Sequence, residues 1–358
     1  MDEPRLFWGD LHGHSRWSRE AVGDPPSYYW YARDEAKLDF SALTDHDFSI
    51  TPKRWEKIQE LAGRFYEPGR FTSFVAYEWT ATKYGHKVVL FADDAVPERI
   101  FKHSQRESDT PPKLWRCLEP FSALTIPHHP LATGIVTDWN FRNDRMQPFV
   151  EVYSKHGSSE HRGSEPRLRA PSRSRLASVQ AALALGHRLG MVCGTDTHCA
   201  KPGSPERTEL FTHRLILRHH GGIMAAYARE LSRDALWEAF TSRYVYGTTG
   251  ARTVLHFAAN GRPMGTEFSS ESPPRLCVTV RAERPAWESL DSPSPLVQQV
   301  ELLRNNEVIR VFEPRENTFS FEEEDRQIEL GLTFYYVRVT QSDGHRAWSS
   351  PVWVNYQP

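Results

Sequence analysis

Cysteine is scarce. The chain has four in 358 residues (Cys117, Cys193, Cys199 and Cys277), and they are too scattered to form a disulfide framework. That excludes a stapled secreted scaffold and makes a reducing cytoplasm the expected compartment. Long apolar runs are missing too, and nothing approaches the ~18 consecutive apolar residues of a membrane-spanning helix. The opening Met1-Asp2-Glu3-Pro4 leads into an apolar run without a signal-peptide pattern. Lys and Arg (44) nearly balance Asp and Glu (46), a net charge of -2. No global field therefore draws a polymeric nucleic acid or an anionic membrane. Repeats and low-complexity tracts are absent. What is left is ordinary soluble globular composition, 39% hydrophobic and 25% charged, on a chain long enough for two domains.

The excess is in histidine, with 16 residues, and their placement is informative. Leu6-Phe7-Trp8 reads as a short buried strand, followed by Gly9-Asp10-Leu11-His12-Gly13-His14. Side chains alternate along a strand, so His12 and His14 point the same way, as half a metal site does. Up to about residue 250, apolar runs alternate with helical patterns at Tyr28 to Lys37, Pro52 to Leu61, Val179 to Leu189 (ended by Gly190) and Arg233 to Ser242. This is the signature of β/α units around a parallel sheet. Residues 102 to 116 read as a loop. From residue 251 to 358, short alternating runs separated by Asn260-Gly261, Asn305-Asn306 and Asp343-Gly344 predict a small immunoglobulin-like antiparallel β-sandwich. Trp348 to Val354 would be its final strand.

His12, His14, His46, Glu78, His129, Asp196 and His198 all fall where a predicted strand gives way to a loop, while His86 lies just before a strand. Carboxyl ends of parallel strands share one face, where α/β barrels put their chemistry. Glu20 or Asp24, in the loop after the first strand, adds a carboxylate. Imidazole with carboxylate suits Zn, Mn or Fe(II), and the lack of clustered cysteine argues against a thiolate zinc site. So rich a set exceeds the needs of one ion and implies two or three. Crowded carboxylates would otherwise repel one another, and the surplus positive charge of several ions suits a phosphate dianion.

Asp10-Leu11-His12-Gly13-His14, Thr44-Asp45-His46-Asp47, Glu78, His129-Pro130 and Asp196-Thr197-His198 together resemble the motif set of the PHP (polymerase and histidinol phosphatase) superfamily, over roughly residues 6 to 250. The resemblance implies a distorted (β/α)7 barrel with a trinuclear metal site and phosphoesterase activity. It implies that His12, His14, Glu78 and Asp196 hold one ion, and that Glu78 bridges to a second shared with His86 and His129. Glu20, His46 and His198 would hold the third. His86 is similar to a ligand of the nucleoside bisphosphate phosphatase branch.

The expected reaction is attack on phosphorus by a hydroxide bridging two ions. His128 and His156 are the candidate proton donors, and Arg16, Lys87 and Lys155 the candidate phosphate contacts. Asp10, Asp45 and Glu151 are expected to orient ligands from behind. The expected substrate is a small phosphoester. Hydrolysis of a carbamate, ester or amide by the same metals is the second expectation, favoured by a dry pocket lined by Trp17, Trp79 or Trp139. A binding protein with structural metals is the third; Trp348 and Trp353 could then touch sugar, although core packing is the expected role of both. The basic stretch Lys155 to Arg175, with Arg162, Arg167, Arg169 and Arg173, reads as a solvated loop, and His213, His219 and His220 as surface residues.

Overall fold

A computed structural model describes residues 3–168, 170–205, 219–289 and 291–358; Arg169 and His213 lie outside the described residues. The first half contributes β1 (Arg5–Asp10), β2 (Phe40–Ala42), β3 (Thr72–Trp79), β4 (Lys87–Phe91), β5 (Ala123–Pro127), β6 (Phe149–Ser154), β7 (Gly157–Ser158), β8 (Gly190–Cys193), β9 (Ile223–Ala228) and β10 (Val245–Thr248). The helices are α1 (Pro25–Trp30), α2 (Pro52–Arg64), α3 (Pro111–Leu118), α4 (Val179–Ala184) and α5 (Arg233–Thr241). Then follow β11 (Val254–Ala259), β12 (Arg262–Pro263), β13 (Glu267–Ser270), β14 (Arg275–Arg281), β15 (Val297–Arg304), β16 (Glu307–Phe312), β17 (Thr318–Glu324), β18 (Gly331–Gln341), β19 (Arg346–Ser349) and β20 (Val352–Tyr356).

The first half is built of mixed sheets with few helices, not clearly the distorted (β/α)7 barrel expected, and the expectation of a parallel sheet needs correcting. Among the described residues of the first half, the strand pairs that run parallel are β1–β2, β2–β3 and β6–β8, with isolated parallel bridges at Gly13–Thr197, His46–Glu78 and Ser158–Arg167. β3–β4, β4–β5, β1–β9 and β9–β10 are antiparallel. For β3–β4 the reason is chain length. Only Thr80 to His86 separate β3 from β4, fewer than the dozen or so residues a parallel crossover requires, so a hairpin forms. The inward faces still share one core. Phe7, Phe40, Phe74, Val88, Leu124, Phe149, Val192, Met224 and Val245 come from nine different strands, and Phe240 of α5 packs among them.

Local readings shift in places. Residues 111–118 are helical because Pro111-Pro112 occupies the first turn and Leu114, Trp115 and Leu118 form a buried stripe. α4 stops earlier than expected, since Gly186 at φ 89° rather than Gly190 turns the chain out.

The later strands form a four-stranded sheet, β12-β11-β14-β17, packed on an arm of the large sheet that contains β13, β20, β18, β15 and β16. Leu255, Val278 and Val280 meet Val300, Leu302, Val337 and Val354 between them. β19 pairs with β10 through Tyr246–Ser349 and Gly247–Trp348, so one sheet runs from the first half into the second. Trp348 and Trp353 are fully buried, so neither is a surface for sugar. No helix of the described residues is long and apolar enough to cross a membrane.

Candidate metal centre

Strand alternation delivers the side chains. On β3, Phe74 and Ala76 point into the central core and Glu78 continues their row, while Val75, Tyr77 and Trp79 face outward. On β5, Leu124 and Ile126 are inward, and His128 is next in that row. On β6, Phe149 is followed inward by Glu151. His12 and His14 follow β1, His46 follows β2, and Asp196 and His198 follow β8. Because β4 runs antiparallel to β3, its start lies at the same rim, which is why His86 joins from the opposite end of a strand.

At the centre four atoms converge. His12 Nε2 lies 3.6 Å from Glu78 Oε2 and 3.4 Å from Asp196 Oδ1. His14 Nε2 lies 3.3 Å from each of the same two oxygens. Four donors on a tetrahedral ion at 2.0–2.1 Å would be about 3.3–3.4 Å apart. All four side chains are 1–3% exposed, and His12 Nε2 and Glu78 Oε2 have no hydrogen-bond partner. Buried polar atoms are rarely left so, and a cation satisfies both. The residues present fit a divalent metal.

The second oxygen of each carboxylate faces a different neighbour. Glu78 Oε1 lies 2.9 Å from His86 Nδ1, 3.2 Å from His46 Nδ1 and 3.6 Å from His128 Nε2. His86, His128 and His129 offer nitrogens within 4.8 Å of one another, and so do His14, His46 and His198. Glu20 closes on His46 Nε2 and lies 3.8 Å from His198 Nε2, whereas Asp24 pairs with Arg16 at 2.7 Å on the exposed surface. Of the two carboxylates in that loop, Glu20 is therefore the one at the cluster. Both His128 and His129 face it.

The supporting residues are specific. Glu151 Oε2 is 2.9 Å from His12 Nδ1 and fixes that ring. Asp45 does not touch the His46 ring; it accepts from Ser15 and Ser18, and the Ser18 hydroxyl lies 3.0 Å from His14 Nδ1. Asp10 accepts from the backbone N–H groups of His12, Thr195 and Gly203, tying the first motif to the last. A side chain on Gly194 would collide with Glu151 Oε2, so glycine is required there.

Charge follows the crowding. Burial alone would raise the Glu78 and Asp196 carboxyls, but the imidazoles around them hold both well below the usual range. Glu20 is brought down to about 2, burial being outweighed by the hydrogen bond and charge of His46. Burial disfavours protonation of His12, yet Asp196 and Glu151 lift it well above an ordinary imidazole. Burial and neighbouring imidazoles push His128 and His129 well down.

Three expected phosphate contacts separate. Lys87 stands opposite Trp79 across the hairpin, so it faces away from Glu78, buried towards Asp138. One position in register decides this. Arg16 is out on the surface with Asp24. Lys155 is buried at the carboxyl end of β6. His156 Nε2 is 2.8 Å from Asp196 Oδ2. Sequence reasoning missed His103, whose Nδ1 lies 2.9 Å from Asp47 beside the His46 turn; a lone histidine in a polar loop gave no signal.

The chain matches the family described as a protein of unknown function (DUF3604) over residues 30–163 and 208–268, more than half its length, and belongs to that family. It is similar, at 26% identity over 98% of its length, to an uncharacterized protein of Chlamydia trachomatis, and at 27% to one of Chlamydia pneumoniae. It spans 57–58% of the length of those relatives. Among solved structures it is similar to a two-domain protein of Bacteroides vulgatus containing a predicted PHP-like metal-dependent phosphoesterase. The TM-score is 0.50 at 15% identity, covering 95% of this chain and 92% of that one. That likeness is one of fold.

Proposed function

We propose that this protein is a metal-dependent hydrolase that cleaves a small phosphomonoester or phosphodiester, with residues 1–250 as the hydrolytic unit and 251–358 as a sandwich joined to it. One observation carries the proposal. His12, His14, Glu78 and Asp196 present four buried donor atoms whose four imidazole–carboxylate separations, 3.3–3.6 Å, suit a shared ion, and two of those atoms have no hydrogen-bond partner. Two or three divalent ions of the Mn, Zn or Fe class suit the whole set of imidazoles and carboxylates. When bound, such ions polarise a phosphoryl oxygen and lower the pKa of coordinated water. The fold shared with a two-domain protein containing a predicted PHP-like metal-dependent phosphoesterase supports phosphorus as the electrophile, and His86 beside Glu78 supports the nucleoside bisphosphate phosphatase branch.

The chain's own residues divide the remaining work. Glu78 and Asp196 each turn one oxygen inward and the other to a separate histidine group, as bridging carboxylates do. Glu151 and Ser18 fix the rings of His12 and His14. His128, buried and kept neutral, suits a ligand better than a proton donor. Of the tryptophans expected to line an apolar pocket for carboxyl substrates, Trp17 is only partly buried. Trp79 and Trp139 are core residues, and Trp79 lies on the far face of β3 from Glu78. Residence in the cytoplasm is supported by the lack of any disulfide among the described residues.

The test is hydrolysis of a panel of phosphomonoesters, phosphodiesters and carboxyl esters before and after chelation. Metal-restored turnover of phosphoesters is expected. Turnover of carboxyl esters alone would transfer the same centre to the second class.

A further inference from the structure

Asp196 uses Oδ1 towards His12 and His14; its Oδ2 points the other way, to His156. His156 sits with Lys155 in a two-residue turn, because β6 and β7 close through Tyr153–Ser158 and Ser154–Gly157. Gly157 at φ 109° permits that tight turn, and a side chain there would run into the Arg167 backbone. The hairpin is also anchored just beyond its end. Glu160 is buried and accepts from the Tyr336 hydroxyl at 2.8 Å, Arg338 Nη1 at 2.8 Å and Trp348 Nε1 at 2.9 Å. His156 is therefore held in place rather than swinging free.

Across from it stands His129, its ring centre 5.0 Å from that of His156 and its buried Nδ1 without a hydrogen-bond partner. Nitrogens of His129 and His156 and an oxygen of Asp196 lie within 4.8 Å of one another. His129 and Asp196 also hold left-handed backbone, φ 35° and 53°, a conformation costly for residues with side chains and persistent where the surroundings demand it. The 2.8 Å between Asp196 Oδ2 and His156 Nε2 is close to the roughly 2.9–3.0 Å edge of an octahedron with bonds near 2.1 Å.

We propose that Asp196 Oδ2, His129 and His156 form a further position for a divalent cation, at the open rim of the centre, with His128 rather than His129 serving beside His86 at Glu78 Oε1, and that His156 is a ligand there rather than an acid. This rests on the hydrolase reading only in needing metal at the neighbouring sites. Two imidazoles and a carboxylate leave coordination positions open, the arrangement of catalytic rather than structural ions. Exposure agrees with this. The His156 side chain is 21% exposed, against 1–3% for the central four, so the open positions face solvent and an incoming substrate. This ion would be the most exchangeable of the set.

The probe is Mn²⁺ alone, titrated calorimetrically into chelator-stripped full-length protein, with bound metal counted by elemental analysis. His156→Ala should lose one equivalent, or weaken the loosest site at least tenfold, and keep the tight sites. Since His156 lies in a turn whose other residues are buried, folding is checked by circular dichroism. Anomalous diffraction from wild-type crystals soaked in Mn²⁺ gives an independent answer, with a peak expected between the three side chains. Unchanged stoichiometry and affinity in His156→Ala, or central sites filled with this one empty, would overturn the proposal while leaving the hydrolase reading standing. A protein that binds no ion anywhere would overturn both.

Discussion

Two buried polar clusters in this chain keep opposite accounts of their hydrogen bonds. Around Glu160 each carboxylate oxygen is met, Oε1 by Tyr336 and Arg338 and Oε2 by Trp348. Around Glu78 and Asp196 the burial is as deep, yet His12 Nε2, Glu78 Oε2, both ring nitrogens of His128, His129 Nδ1 and Glu151 Oε1 lack partners. A saturated cluster is finished as it stands and serves to join β18 and β19 to the segment after β7. An unsaturated one costs roughly 1–3 kcal/mol for each orphaned group until something else binds there. The contrast separates a structural joint from a site that a cation completes.

The largest effect that would sharpen the contrast comes from Asp196→Ala. It removes an oxygen from the centre and should cut phosphoesterase turnover by about a thousandfold or more while the circular dichroism spectrum stays native. Full activity would break the comparison on its metal side. Glu160→Ala should do the reverse. Arg338 keeps its pair with Glu301, but buried Trp348 Nε1 and the Tyr336 hydroxyl lose their acceptor, which is expected to cost about 1–3 kcal/mol for each donor, read in urea, with the tight metal content per folded chain unchanged. Metal loss at the central four residues in that variant would merge the two clusters into one. Chelation should lower the melting temperature of the wild type by several degrees, since ligands bound only by the folded state stabilise it, and lower it equally in a folded Trp348→Phe variant.

The smallest effect is in pH. In stripped protein Glu20 is depressed from 4.5 to about 2. A carboxyl whose folded value lies below its unfolded one stabilises above the unfolded value and loses that contribution as pH falls through the folded one. The thermal deficit of Glu20→Gln should therefore be present at pH 6 and shrink between about 4.5 and about 2. A deficit unchanged across that window would remove Glu20 from the ionised cluster.

The meeting of His12, His14, His46, Asp196 and His198 could be read from the chain because each of them sits just past a strand end, and in the two pairs, His12/His14 and Asp196/His198, period-two alternation fixes direction. Their role as ligands is what the proposal adds. Lys87 was misjudged for the complementary reason. It lies one register position from the inward row, and only the β3–β4 hairpin shows which face it takes. The antiparallel turn of that hairpin follows from a connection too short for a helix. The Glu160 joint was not legible at all, since its partners come from 176 to 188 residues away and nothing local marks them. β9 and β17 were also missed. The first is rich in alanine, and the second alternates Phe with Ser and Glu on a half-exposed face.

Elemental analysis of active, untagged protein, with Asp196→Ala beside it, bears most directly on the cage formed by His12, His14, Glu78 and Asp196. At least two transition-metal ions per wild-type chain, with fewer in the variant, is the predicted result. Active wild-type protein free of such ions would contradict it.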